Sequence, residues 1–398
     1  MKRIQLISLL IVLGLVACTQ PLPEPTKEVI QEQTETVLAE PSPEPEKPEN
    51  PTEEAQPEPT VLPTVLPTEE PELTETVKPV WSSEPKVIAE GLSWPWELVF
   101  LPDGGILLTE RPGNLLLIRN GEERIPIKGV THIGEGGLLG LALHPEFEQK
   151  AWLYLYVTYE LPGQVLNRVE RYVFRDDQLS ERIVIVDEIS GSSIHDGGRI
   201  KFGPDGKLYI TTGDAGNPDI AQNLESLNGK ILRLNDDGSI PDDNPFGSSV
   251  WSTGHRNAQG LAWDSQGRLW STEHGPSGSE TGNDEVNLIE PGKNYGWPLL
   301  RGMQTQEGFT APVIESGRND TWAPSGAVIV DDVLFFAGLR GAAVYRVPVD
   351  GISMDTFEVL YKNEFGRIRN VVVSPEGQLW IMTSNGAGVD QVIALPLQ

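Results

Sequence analysis

The sequence predicts an all-β chain: a six-bladed β-propeller preceded by a signal peptide and a disordered Pro/Glu-rich linker. Three observations predict it. A hairpin pattern recurs six times, helical periodicity of useful length is missing from the same region, and a proline-crowded segment separates that region from an apolar N-terminus. The recurring pattern is an apolar stretch, a turn built on Pro, Asp and Gly, and a second alternating stretch. It reads VFLPDGGILLTE from Val99, LALHPEFEQKAWLYLYV from Leu141, IKFGPDGKLYITTGD from Ile200 and LAWDSQGRLWSTEHG from Leu261. Looser copies are VIVDDVLFFAGL from Val328 and VVVSPEGQLWIMTSN from Val371. Asp-Gly, Gln-Gly or Glu-Gly between β-rich runs signals a hairpin. Copies spaced roughly 40 to 70 residues apart suit units of about four strands, and six units leave about 50 residues per blade. The wider gaps near residues 160–200, 215–260 and 275–325 predict inter-strand loops that build a site on one face.

The first segment is short and ordered by hydropathy. Met1-Lys2-Arg3 is basic, Ile4 to Val16 is mostly apolar, and Leu15-Val16-Ala17-Cys18 closes it with small residues. These are the parts of a secretory signal, and the apolar run is too short for a spanning helix. The Leu-x-Ala-Cys ending resembles the bacterial lipobox. That resemblance implies a signal peptide over residues 1–17, lipidation of Cys18, and an exported chain anchored to the bacterial envelope by lipid alone. Cys18 is the single cysteine of the chain, so no internal disulfide exists.

Residues 18–85 then read PLPEPTKEV, PSPEPEKPENPTEE and PTVLPTVLPTEEPE. Too few large apolar residues occur there to offset the entropy of ordering, so the segment is expected to be a disordered stalk. Residues 86–398 are left for the propeller. The formal net charge is -28. Such an acidic chain lacks the basic surface that phosphate backbones require, which argues against a nucleic-acid partner.

Several common chemistries are missing from the propeller region. It contains no zinc-type His/Cys cluster, no Gly-x-Ser-x-Gly elbow and no Gly-rich loop opening a helix. Other candidates lie on segments that lead into strands. HDGGRIKFGPDG begins with His195, and Asp214 follows in TTGDAGN. GHRNAQGLAW holds Arg256, Asn257 and Gln259. EHGPSGSETGNDEVNLIEPGKNYGWP holds Gly275, Pro276, Glu285 and Tyr295. Arg340, Arg367 and Arg369 come late in the chain. Arginines on such loops make anion receptors, because the guanidinium binds carboxylates bidentately. Loop carbonyls with a carboxylate suit Ca²⁺, and a histidine beside them can act as a general base.

Seven segments in order, WPWELVFLPDG, EGGLLGLALHPEF, HDGGRIKFGPDGKLYITTGD, GHRNAQGLAW, HGPSG, DEVNLIEPGKNYGWP and RIRNVVVSPEG, resemble the soluble pyrroloquinoline-quinone (PQQ) sugar dehydrogenases. That family includes soluble glucose dehydrogenase and the aldose sugar dehydrogenases, and the loops here are closer in length to the latter. The resemblance implies a six-bladed propeller that oxidises the C1 hydroxyl of aldoses to lactones, with PQQ as hydride acceptor and calcium as cofactor. It implies that His195 is the catalytic base, Asp214 the carboxylate orienting it, and Arg256 a catalytic cation. It further implies that Arg256, Asn257, Gln259, Arg367 and Arg369 contact PQQ, that Gly275 and Pro276 ligate calcium through carbonyls, and that Glu285 and Tyr295 form a further calcium site.

Two cofactor-facing positions depart from the family pattern. Arg340 stands where soluble glucose dehydrogenase has Lys. Glu135 stands where the family has Gln, and a carboxylate there repels a tricarboxylated quinone unless protonated or calcium-bound. No Cys-x-x-Cys-His haem motif is present, so the electrons must leave to a separate acceptor. Two other readings stay open: a surface-tethered, non-catalytic propeller that binds carbohydrate or protein, and a calcium-dependent lactonase.

Overall fold

The computed structural model describes residues 84–276 and 282–396. The signal segment, Cys18 and the stalk up to residue 83 lie outside the described residues. The chain folds into six antiparallel four-stranded sheets, which form the six blades of a β-propeller. Blade one contains Pro95–Phe100, Ile106–Glu110, Asn114–Ile118 and Glu122–Pro126; blade two runs from Leu138 to Ser190. Blade three runs from Ile200 to Thr253, blade four from Ala258 to Glu315 and blade five from Pro324 to Leu360. Blade six joins Ile368–Val373, Leu379–Thr383 and Ala387–Ala394 to the first strand of the domain, Lys86–Ser93. That last pairing closes the ring. Without it, blade six would present an open edge three strands from the axis.

Each of the six repeats is the first hairpin of a blade. Gly104, Gly206, Gly267 and Gly377 occupy the turns with positive φ, a conformation a Cβ disfavours. Blade five instead uses Asp331 and Asp332, with φ of 48 and 57°; aspartate is among the residues that tolerate this region.

Strand alternation builds the core. In blade one Leu107 and Leu115 face blade two, while the adjacent Leu108 and Leu116 face blade six. In blade three Ile210 packs toward blade two, and Tyr209 toward blade four. Successive side chains point to opposite faces of a strand, so each sheet supplies two apolar faces. The buried residues accordingly fall into six clusters, one per blade interface.

One expectation is corrected. Residues 160–200 are mostly strand rather than loop: Gln164–Arg175 and Gln178–Ser190 form the outer half of blade two. Their burial pattern is broken by bulges, which hides the alternation in the sequence. Only residues 191–199 form the connection to blade three. Among the described residues, no helix is long and apolar enough to cross a membrane.

Candidate active site

The innermost strands all run the same way, so the segments leading into them gather at one end of the central channel. His195 lies on the lead into blade three, with φ of 58°. That left-handed conformation is uncommon for a residue with a side chain and marks a functional constraint. Its carbonyl accepts the Ala215 amide and lies 1.8 Å from where a Cβ on Gly213 would sit. Only glycine therefore fits at 213.

The His195 Nδ1 donates to Asp214 Oδ1 at 2.6 Å. Asp214 is fully buried. Its Oδ1 also accepts the Gly216 amide at 2.8 Å, and Oδ2 accepts the Trp297 indole N–H at 2.9 Å. Burial opposes charge on this carboxyl, but the His195, Gly216 and Trp297 donors outweigh it and hold it below the usual carboxylate range. A carboxylate fixed on Nδ1 selects the tautomer whose Nε2 is basic.

Arg256 is buried. Its guanidinium lies over the Trp297 ring and 3.4 Å from the His274 carbonyl. Asn257 accepts the Gly197 amide at 3.1 Å and reaches Glu135 at 3.5 Å. Gln259 Oε1 accepts from Arg369 Nη1 at 2.8 Å and from Ser325 at 3.1 Å. Arg111, at the end of the second strand of blade one, joins this ring from the far side.

Glu135 is where these fields meet. Its Oε2 accepts the His195 amide at 2.8 Å. Burial opposes its charge, but His274, the His195 amide, His195 and Arg369 together hold the carboxyl below its ordinary value. His274 is itself driven down to about 3 by burial. Arg111, Arg256 and Arg367 also have Glu135 as a charged neighbour. These arginines set positive charge against the Glu135 carboxyl and against its repulsion of an anionic ligand.

Asp196 follows His195 and anchors it. Its Oδ1 accepts from Asn167 and from the Ser192 amide, each at 3.0 Å, while its buried Oδ2 has no partner. Burial, reinforced by Glu135, raises this carboxyl to about 7 despite the two hydrogen bonds. A raised acid binds more protons folded than unfolded, so stability falls as pH climbs from its ordinary 3.8 toward 7. Asp196→Asn keeps the acceptor and removes the ionisation. Its melting temperature, relative to wild type, is expected to rise between pH 4 and pH 8. The span corresponds to on the order of 4 kcal/mol. A difference flat across pH would show that ionised Asp196 is accommodated without cost.

The remaining predicted residues divide. Arg367 is exposed but shares the field of Arg111 and Glu135. Arg340 is exposed on blade five, and among the described residues no hydrogen bond or ion pair joins it to the others. Gly275 and Pro276 follow His274, whose carbonyl faces the Arg256 guanidinium, and the Gly275 amide donates to Asp284 at 2.7 Å. The residues that follow, 277–281, lie outside the described set. Glu285 stands across blade four between Glu273 and Glu315 in register. The Tyr295 side chain is engaged elsewhere: its ring stacks on His255, and its hydroxyl donates to the Leu288 carbonyl at 2.6 Å.

Among the described residues, no group of three His, Cys, Asp or Glu side chains closes as a metal cage. Glu273 is tied to His255, Glu285 to Asn287 and Glu315 to Asn283.

Arg111, Asp196, His274 and Trp297 were not singled out from the sequence. The GKNYGWP segment was legible, but only its tyrosine drew attention. Arg111 follows an ordinary strand and has no local mark.

Fold and site define a class: a six-bladed propeller with a carboxylate-backed histidine facing arginines along the axis. Comparison with known proteins gives the family. A family model described as Glucose / Sorbosone dehydrogenase matches residues 92–393. The aldose sugar dehydrogenase YliI of Escherichia coli is 33% identical over 340 residues, covering 76% of this chain and 90% of that protein. The PQQ-bound aldose sugar dehydrogenase of Streptomyces coelicolor superposes with a TM-score of 0.71 at 36% identity, covering 79% of this chain and 98% of that one. The apo-form of the soluble Escherichia coli aldose sugar dehydrogenase gives 0.71 at 30%, covering 79% and 99%. The chain belongs to the glucose/sorbosone dehydrogenase family of PQQ-dependent sugar dehydrogenases.

Proposed function

We propose that this chain oxidises the C1 hydroxyl of aldose sugars to lactones, with PQQ as hydride acceptor and calcium as second cofactor. The observation that carries the reading is the 2.6 Å His195–Asp214 pair beside an arginine-lined pocket. Arg111 Nε and Arg369 Nε are buried there without hydrogen-bond partners. Buried donors normally find partners, and three carboxylates on a planar quinone are suitable ones. Arg111, Arg367 and Arg369 would grip those carboxylates, with Arg256, Asn257 and Gln259 at the ring oxygens.

When bound, PQQ would supply the two-electron acceptor for the C1 hydrogen and its electron pair. The chain's own part is proton transfer and electrostatics. Asp214 fixes the imidazole so that Nε2 takes the proton of the anomeric hydroxyl. Trp297 and the Gly216 amide hold Asp214 in turn. The Arg256 guanidinium places fixed positive charge where negative charge develops, without reorganisation during the reaction.

The residues present also fit calcium. The enclosed Glu285 carboxyl is pushed well above its ordinary value by burial and by Glu273. Asn287 Oδ1 beside it is buried and without a partner. A divalent cation there would offset the cost of charge on Glu285. Tyr295 would contribute its carbonyl, since its hydroxyl is engaged. Gly275 and Pro276 would supply carbonyls near the quinone.

The test is to add PQQ, with and without Ca²⁺, to purified apoprotein and follow dye reduction across several aldoses. Activity with at least one aldose, lost on omitting PQQ and reduced on chelation, is expected. No PQQ binding and no turnover with any sugar would overturn the reading. The non-catalytic alternative rests on Glu135 and the long stalk, and tight glycan binding by the apoprotein without redox activity would favour it. We further propose export and lipidation at Cys18; Cys18→Ser should then move the protein from the membrane to the soluble fraction.

A further inference from the structure

At the far ends of the inner strands, on the face opposite the pocket, the channel opens again into a second cavity of about 640 Å³. Every blade contributes an apolar, half-buried wall residue: Phe100, Leu143, Phe202, Trp263, Ile329 and Val372. A layer of crossing polar groups lies between cavity and pocket. Arg199 of blade three pairs with Glu97 of blade one and donates to the Gln259 carbonyl at 2.8 Å; Asn370 of blade six also donates to Glu97.

Lys201 is the only lysine or arginine in this cavity. Its side chain leaves blade three, passes blade four and donates to the Ala327 carbonyl of blade five at 2.9 Å. That uses one of three ammonium donors. Among the described residues, no carboxylate forms an ion pair with it. Glu97, the single acid of the lining, is already held by Arg199 and Asn370. Burial presses the Lys201 amine down to about 8, with Arg199 adding to the effect and Glu97 opposing it. An ammonium facing apolar walls is costly unless an anion pairs with it.

We infer that this cavity binds a free medium-chain aliphatic carboxylate, its head group on Lys201 Nζ and its chain along the apolar strand ends. The volume lies within the range of small-molecule sites, about 300 to 1,000 Å³. The lining side chains include no Ser, Thr, Asn, Gln or Tyr, so a sugar or sugar acid would find few side-chain partners for its hydroxyls. A lone cation beside long apolar walls is the complement of one charge on a hydrocarbon tail. The inference does not depend on the reaction proposed for the other face.

The test is calorimetric titration of the purified, delipidated full chain with decanoate below its micellar concentration, in parallel with decanol. Decanoate is expected to saturate one site and to bind at least tenfold more tightly than decanol. Lys201→Met, close in length and apolar, should weaken decanoate at least tenfold and leave decanol unchanged. Val372→Trp, which fills the cavity, should abolish both. A melting curve checks that each variant is folded. Should Lys201→Met unfold, the wild-type protein still decides, because decanoate affinity must fall as the amine deprotonates above about pH 9 while decanol affinity stays level. The inference is overturned by absence of saturation, by equal decanoate and decanol affinities, or by undiminished decanoate binding in either folded variant.

Discussion

Replacing His195 with Gln is expected to lower kcat of the PQQ-loaded protein about 10³-fold while leaving PQQ bound, since a positioned general base contributes roughly 10² to 10⁴. Glutamine is close in size and can still donate an amide N–H to Asp214, so the pocket keeps its shape. What it lacks is a basic nitrogen at the position of Nε2. Dye-reduction kinetics read the loss, and absorbance titration of the quinone reads the binding. Retained turnover would remove His195 as the base. Loss of PQQ binding together with turnover would make it a cofactor contact instead.

The second large effect concerns Arg369. Arg369→Met is expected to weaken PQQ binding about 10² to 10³-fold, because truncating one member of a buried charge pair costs about 2 to 5 kcal/mol. Burial disfavours charge on Arg369, and the like charges of Arg111, Arg367 and Arg199 add to this, with only Glu135 opposing. The apoprotein therefore holds an arginine cluster under mutual repulsion, preorganised for an anion. Methionine relieves that repulsion, although it leaves Gln259 Oε1 with Ser325 as its only partner. The melting temperature of the apo variant should match or exceed that of wild type, while the upward shift on adding PQQ is largely lost. A variant that loses stability in the apo form but keeps the PQQ-induced shift would show Arg369 to be a structural cross-brace and not a cofactor contact.

Much of the fold was legible because its signals are local. Asp-Gly turns between alternating runs betray the inner hairpin of each blade, and those hairpins appear where the sequence places them. The outer strands were harder to see. Gln178–Ser190 is bulged and largely exposed, so it carries no clean alternation. The closure of blade six was invisible for a different reason. Lys86–Ser93 pairs with Ala387–Ala394 across nearly the whole domain, and no local rule reports a partner that distant.

The site divides along the same line. His195 and Asp214 are 19 residues apart on two adjoining strand ends of one blade, so their pairing follows from a single hairpin. Arg111 and Arg369 come from opposite ends of the domain, and they share a field only because the ring closes. Sequence pattern by itself determined the propeller, because turn chemistry and strand alternation act within one blade, and the family resemblance pointed to the His195–Asp214 pair. Tertiary structure alone decided the charge balance of the pocket. Glu135 stands among Arg111, Arg256, Arg367 and Arg369, drawn from three blades, and Coulomb energies depend on distance in space and not on separation along the chain.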